Sequence, residues 1–211
     1  MATTETRLLL LGAVAIFEPV NGYQIRRELI SWGVESWANI RPGSIYHGLA
    51  TLTQRGELVR HDLRDGSREV AVYELSDAGR AEFRRLYDVA LTEVRPTAPV
   101  AFQTALSMLH LISRDDAKRL LRQRLENLDA EALGYAEKGD VEHIPPHVLA
   151  VMDYWERVGK VEREWLLRLL FRIEDGELSF LDEPMGWTPA ADDPGHQMQE
   201  DRERYLALLQ R

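Results

Sequence analysis

Hydrophobic and polar positions in the first part of the chain predict short helices followed by a β-hairpin. Apolar residues recur at helical spacing from Thr6 to Glu18 and again from about Tyr23 to Trp32. Pro19 and Gly33 are expected to break these two helices. A third helix should begin at Pro42, because the fixed φ of proline suits a first helical turn.

The predicted third helix has one apolar face and one hydrogen-bonding face. Ile45, Leu49 and Leu52 recur at i, i+4 and i+7, and Gly56 is expected to end the helix in the left-handed conformation. The opposite face offers hydroxyl, imidazole and guanidinium groups, which is the kind of surface that a DNA major groove accepts. These groups belong to Ser44, Tyr46, His47, Thr51 and Arg55.

A β-hairpin is predicted directly after the third helix. Leu58–Arg64 and Arg68–Leu75 are strand-like runs, and the Asp65-Gly66 pair between them is a strong hairpin signal. Short helices followed by a hairpin with arginines near its tip are typical of a winged helix-turn-helix that binds DNA. In such a domain the hairpin is the wing.

The rest of the chain is predicted to be helical. Ser76 is placed to cap a fourth helix from Asp77 to about Val94. The prolines of Arg95–Pro99 bar a continuous helix, so the sequence predicts domains of residues 1–95 and 96–211. The fold class is therefore mainly α with a small β-hairpin wing, an N-terminal winged helix-turn-helix and a C-terminal helical domain. The later helices are expected at Ala101–Leu111, from Ser113 to about Lys138, at His147–Asp175, and, frayed or docked, at Gln199–Gln210.

Charge and composition narrow the classes of function. The net charge is −9, but residues 1–95 hold 12 basic and 13 acidic side chains, so most of the excess acid lies in the second half. Five arginines between Arg41 and Arg68 give a small local positive excess, which in a dimer supports modest, salt-sensitive DNA binding. The absence of cysteine excludes disulfides and thiolate catalysis. No run is apolar enough to span a membrane and no signal-peptide pattern is present, so the expected location is cytoplasmic.

No catalytic, metal or cofactor site is predicted. His143 and His147 are four residues apart, but Pro145-Pro146 stands against the regular helix that would bring them together. No nucleophile–base arrangement or glycine-rich phosphate loop is found in the sequence. Trp155 and Trp165 have two interpretations. They either pack in the core, which is the favoured interpretation, or line an apolar effector pocket between protomers.

Motifs in the first 90 residues resemble the PadR family of bacterial transcriptional regulators, in the expected order and spacing. The second half resembles, by its organisation, the larger subgroup of that family, whose helical C-terminal domain makes the dimer. The wing departs from the family, because Glu69 stands where many members are more basic. The motifs are Leu10-Leu11-Gly12, Asn21-Gly22-Tyr23-Gln24-Ile25, Pro42-Gly43-Ser44-Ile45-Tyr46, Leu49 with Leu52, Gly56-Glu57-Leu58-Val59, and Tyr73-Glu74-Leu75-Ser76 with Gly79.

The resemblance implies a homodimeric regulator, expected to be a repressor, that binds a double-stranded DNA operator and has a possible small apolar or aromatic effector. The helix His147–Asp175 is expected to form the dimer interface. The expected interface residues are Val151, Trp155, Val158, Trp165 and Leu169. One alternative is a winged-helix module that binds protein instead of DNA, which a salt-dependent gel shift would distinguish. The other is an enzyme, which only the acidic, histidine-containing second half favours. The expected DNA contacts are Tyr23, Arg41, Ser44, Tyr46, His47, Thr51, Arg64, Ser67 and Arg68.

Overall fold

The computed structural model describes residues 3–38, 40–95, 98–138 and 143–210, without the side chains of residues 42 and 133–138. This part of the chain is mainly helical with a small three-stranded antiparallel sheet, and the predicted fold class is confirmed. It divides into two units, one formed by residues 1–87 and 187–211 and the other by residues 88–186.

The first unit contains the predicted helices and hairpin. Its elements are α1 (Thr4–Phe17), β1 (Val20–Asn21), α2 (Gly22–Ser31), α3 (Val34–Trp37), α4 (Pro42–Gln54), β2 (Leu58–Asp65), β3 (Arg68–Leu75), most of α5 (Asp77–Thr92) and α9 (Pro194–Leu209). The strands follow the order β1-β3-β2, and the apolar face of α4, Ile45, Leu49 and Leu52, is buried in the core of the unit. Two short elements, the strand β1 and the helix α3, were not predicted.

Local hydrogen bonds explain where the elements of this unit begin and end. Asn21 and Gln24 form a capping box, in which each side chain accepts a hydrogen bond from the other residue's backbone N–H, at 2.9 and 3.2 Å. The Ser76 hydroxyl accepts from the backbone N–H of Gly79 at 3.0 Å and caps α5 as predicted. Gly56 follows α4 with φ of 72°, the left-handed conformation expected there.

The second unit is built from helices. It contains the end of α5, then α6 (Val100–Leu106), a 3₁₀ turn (Leu109–Leu111), α7 (Arg114–Lys138) and α8 (Pro146–Glu174), and α7 packs against α8. The single helix predicted at residues 101–111 is wrong, since α6 ends at Leu106. Ser107, the residue after α6, donates its hydroxyl to the carbonyl oxygen of Thr104 at 2.8 Å and so satisfies one of the carbonyl groups at the end of the helix.

The two units differ from the predicted domains in two places. The last turn of α5 belongs to the second unit, where the carbonyl oxygen of Thr92 accepts from the Asn127 amide at 2.8 Å and that of Glu93 from Arg124 at 2.6 Å. The final helix, α9, belongs to the first unit and is docked there. The division therefore falls inside a helix and not in the proline-containing segment after it.

Candidate nucleic-acid interface

The outward face of α4 lies beside the first turn of α2. Tyr46 is 47% exposed while its neighbour Ile45 is fully buried, as the apolar periodicity predicted. The Tyr46 ring covers Gly22, where an added Cβ would lie 3.1 Å from the ring atom Cε1. Tyr23 follows Gly22 and is 61% exposed, and His47 is also exposed. The exposed tyrosine of α4 therefore lies beside the start of α2, which carries the exposed Tyr23.

The hydroxyl groups on α4 already donate hydrogen bonds to their own helix. Ser44 Oγ donates to the carbonyl oxygen of Arg41 at 2.7 Å, and Thr51 Oγ1 donates to that of His47 at 2.9 Å. Each hydroxyl keeps acceptor capacity but has only one hydrogen to donate. A phosphate oxygen only accepts, so these two side chains suit a base amino group better than the DNA backbone.

Arginine side chains without carboxylate partners lie at α4 and on the wing. Arg41, Arg64 and Arg68 are exposed, and within the part of the chain that the structure describes none of their guanidinium groups forms an ion pair. Such groups are available to phosphates. Most other arginines of this unit are paired with Asp or Glu: Arg7, Arg27, Arg55, Arg60, Arg80, Arg85 and Arg204.

The wing combines basic and acidic side chains. Its turn contains the exposed Ser67, and Arg64 stands opposite Glu69 in the antiparallel ladder. Nearer the base of β2, Arg60 is held by Asp62 at 2.7 Å, and this hydrogen bond raises the pKa of the guanidinium above its ordinary value. Because Glu69 shares a sheet face with Arg64, it reduces the positive potential of the wing without forming a direct pair.

The long helix α8 carries an exposed apolar stripe. Val151, Tyr154, Val161 and Trp165 are 44, 63, 69 and 42% exposed, and Val158 is partly exposed. Their spacing alternates between three and four residues, which is the a/d pattern of a coiled-coil seam. We call these five residues the α8 stripe.

The predicted dimer residues fall on different sides of α8. Val151, Val158 and Trp165 belong to the α8 stripe, which also contains Tyr154 and Val161, two residues outside the predicted set. Trp155 instead lines a small open hollow of about 40 Å³, which is formed by residues of α7 and α8 together with Val94. Leu169 is only 5% exposed and packs inside its own unit, which leaves it almost no surface for a partner.

Among the described residues no three or more His, Cys, Asp or Glu side chains are grouped so that they could hold a metal ion. No helix of that part of the chain is both long and apolar enough to cross a membrane.

One known protein family is similar to a part of the first unit. Residues 10–85 match the model of the "Transcriptional regulator PadR-like family". The search of the curated proteins found no match.

Solved structures with similarity to this chain include three that are matched over almost the whole length of their own chains. Bacillus subtilis PadR in complex with operator DNA is 20% identical, with 78% of this chain and 98% of that chain covered and a TM-score of 0.34. The PadR-like transcriptional regulator BC1756 from Bacillus cereus is 18% identical, with coverages of 82% and 97% and a TM-score of 0.38. Bacillus subtilis PadR in complex with p-coumaric acid is 18% identical, with coverages of 79% and 99% and a TM-score of 0.33.

Proposed function

Residues 10–85 form a domain of the PadR-like family of transcriptional regulators, and on that premise we propose that the chain is a homodimeric repressor that binds operator DNA. In each protomer α4 enters a major groove and the wing contacts the adjacent backbone. Base edges are read by the exposed face of α4, and phosphates are bound by arginines.

The observation that carries this proposal is the position of the unpaired arginines. Arg41 directly precedes α4, whose exposed face carries Tyr46, and Arg64 and Arg68 lie beside the turn of the wing. Elsewhere in the unit most guanidinium groups are neutralised by carboxylates. A protein surface that leaves cations unpaired beside a polar, aromatic helix face is suited to a polyanion.

Dimerisation would present two such surfaces to one operator. The α8 stripe offers a long apolar seam that its own unit does not cover. A two-fold axis along this seam lets the same residues meet in both protomers. In the proposed complex each of the two recognition helices occupies one half-site of a two-fold symmetric operator.

Repression and an effector complete the proposal. Occupying an operator is by itself enough to block transcription, whereas activation requires a further contact with the polymerase. The hollow beside Trp155 is also lined by Leu128 and Val94, but its volume is only about 40 Å³, so an aromatic effector would bind there only if the hollow widens. Its two cations already have partners, since Arg163 pairs with Asp129 at 2.7 Å and Lys160 with Glu156 at 2.5 Å. Quenching of tryptophan fluorescence by such a compound should be lost in Trp155→Phe and kept in Trp187→Phe.

DNA selection tests the proposed function. The wild-type chain is used to select duplexes from a random-sequence library, and affinity for the selected duplex is then measured by fluorescence anisotropy. We expect a two-fold symmetric sequence, and Tyr46→Phe and Arg64→Ala should each weaken binding by about 1–3 kcal/mol if one contact is lost. Arg119→Ala, which removes an exposed charge from α7, is the matched control. A chain that selects nothing and binds DNA no better than its variants would instead support a protein-binding module.

A further inference from the structure

The last helix, α9, is an integral part of the first unit. The chain leaves this unit within α5 and returns to it only after residue 186. α9 packs against β2, and its side chains Met198 and Tyr205 are buried. The Tyr205 hydroxyl accepts a hydrogen bond from the amide of Asn21, the residue that caps α2, at 3.0 Å. Burial and this hydrogen bond together fix α9 against α2 and the sheet.

A continuous series of polar contacts runs from α2 through α9 to the turn of the wing. Gln24 Nε2 donates to Asp201 Oδ2 at 2.7 Å. Arg204 donates to the other oxygen of Asp201 at 2.5 Å and, through Nε, to Asp65 Oδ2 at 3.0 Å. Asp65 is the last residue of β2, directly before the turn. The four side chains therefore join the first turn of α2 to the tip of the hairpin.

Each end of this series lies beside an expected DNA contact. Tyr23 precedes Gln24, while Arg64 precedes Asp65 and Arg68 is opposite Asp65 in the ladder. A hairpin tip has few contacts of its own and is among the least stable parts of a fold. We propose that α9 braces the DNA-binding surface and that Arg204 is a positioning residue, which holds the wing at a fixed distance from α2. This inference rests on the operator binding proposed above.

The contact between Arg204 and Asp65 also has an electrostatic consequence. The Asp65 carboxylate is a negative charge at the place where the wing would meet phosphate. Arg204 contacts this carboxylate at 3.0 Å and shares its positive charge between Asp65 and Asp201. The loss of Arg204 therefore both releases the wing and leaves these two negative charges without their cation. Loss of Asp65 releases the wing but removes the repulsion as well. Arg204→Gln should therefore weaken DNA binding more than Asp65→Asn.

Two measurements on the full chain test whether α9 holds the wing in place, which we call the brace. One is made without DNA and one with it. Hydrogen exchange of the amides of residues 65–68 is compared between wild type, Arg204→Gln, Arg204→Lys and the control Arg119→Gln. Affinity is measured for the duplex that the wild-type chain selects from a random-sequence library. Because an exposed ion pair contributes little to the free energy of unfolding, all variants should remain folded.

We expect faster exchange at the wing turn in Arg204→Gln and a roughly two- to fivefold loss of affinity. Arg204→Lys should restore most of both. Hydroxyl-radical footprints should lose protection where the wing lies and keep it where α4 lies. In an Asp65→Asn background, Arg204→Gln should have a much smaller effect, since the two side chains act through each other.

Several results would overturn the inference. Unchanged exchange at the wing turn in Arg204→Gln would exclude the brace, whatever the DNA result. Faster exchange with unchanged affinity and footprint would exclude a role in positioning. An equal loss of affinity with or without Asp65 would mean that Arg204 contacts phosphate itself. A wild-type chain that binds no duplex would refute the proposed function, and the exchange comparison would then still support or overturn the brace.

Discussion

Replacing Val161 with glutamate should separate the proposed dimer without unfolding the protomer. Val161 is 69% exposed and is the fourth of the five residues of the α8 stripe, so its own unit does not depend on it. Burying a valine side chain contributes about 1.5 kcal/mol, and a two-fold dimer contains the substitution twice. Loss of that burial alone amounts to about 3 kcal/mol, which raises the dimer Kd more than about a hundredfold. Desolvation of two facing carboxylates adds to the cost.

Sedimentation velocity across a range of concentrations measures the effect, and circular dichroism checks the fold. Phe171→Glu is the matched control, because Phe171 is 67% exposed on the same helix but lies off the stripe. Trp165 is a poorer choice, since its ring packs edge-on against Phe102 at 6.4 Å within the unit. We expect monomers from Val161→Glu and a dimer from Phe171→Glu. A dimer that survives in Val161→Glu, or is lost equally in both variants, would refute the assignment of the seam.

Two further predictions concern the first unit. Gly79→Ala should lower the free energy of unfolding by about 3 kcal/mol or more, because the new Cβ would lie 1.8 Å from the backbone oxygen of Glu57. Urea unfolding measures this change. Gly43→Ala is the control, because a Cβ added at Gly43 meets nothing within 4 Å. The hydrogen bond from Arg85 lowers the pKa of Glu82 below 4.5, so its stabilisation is present at neutral pH and is lost as the pH falls below that value. Glu82→Gln should therefore flatten the acid side of the stability profile, and an unchanged profile would contradict the linkage.

Features set by neighbouring residues could be predicted from the sequence. Pro42 begins α4 and Gly56 follows its end, and the Asp65-Gly66 pair makes the turn of the hairpin, with φ of 63° at Gly66. These outcomes depend on local backbone preferences, which the residues themselves carry. The capping of α5 by Ser76 is of the same kind.

Features that depend on distant partners could not be predicted in this way. β1 contains only two residues and exists because β3 pairs with it. The docking of α9 depends on Asn21 and Gln24, which lie more than 170 residues earlier in the chain. On α8, apolar residues occupy more than one side of the helix, and their spacing alone does not tell which side faces inward. Burial of Leu169 in its own unit settles that orientation, and the heptad spacing then identifies Tyr154 as part of the outer stripe.

For the candidate DNA contacts, the sequence indicated residue types but not their partners. Nothing in the local pattern distinguishes Arg60, which Asp62 neutralises, from Arg64, which forms no ion pair within the described residues. The hydroxyl groups of Ser44 and Thr51 also look available in sequence, yet both donate to their own helix. Only the three-dimensional arrangement shows which side chains are free to meet a ligand.

The salt dependence of operator binding tests the central claim most directly. Affinity of wild type and of the double variant Arg64→Ala/Arg68→Ala is measured for the selected duplex over a series of salt concentrations. Each phosphate contact contributes a slope of about 0.9 in log K against log salt, so the double variant should be shallower than wild type by nearly two units. Equal slopes for the two proteins, or binding by wild type that does not respond to salt, would contradict a wing that binds the DNA backbone.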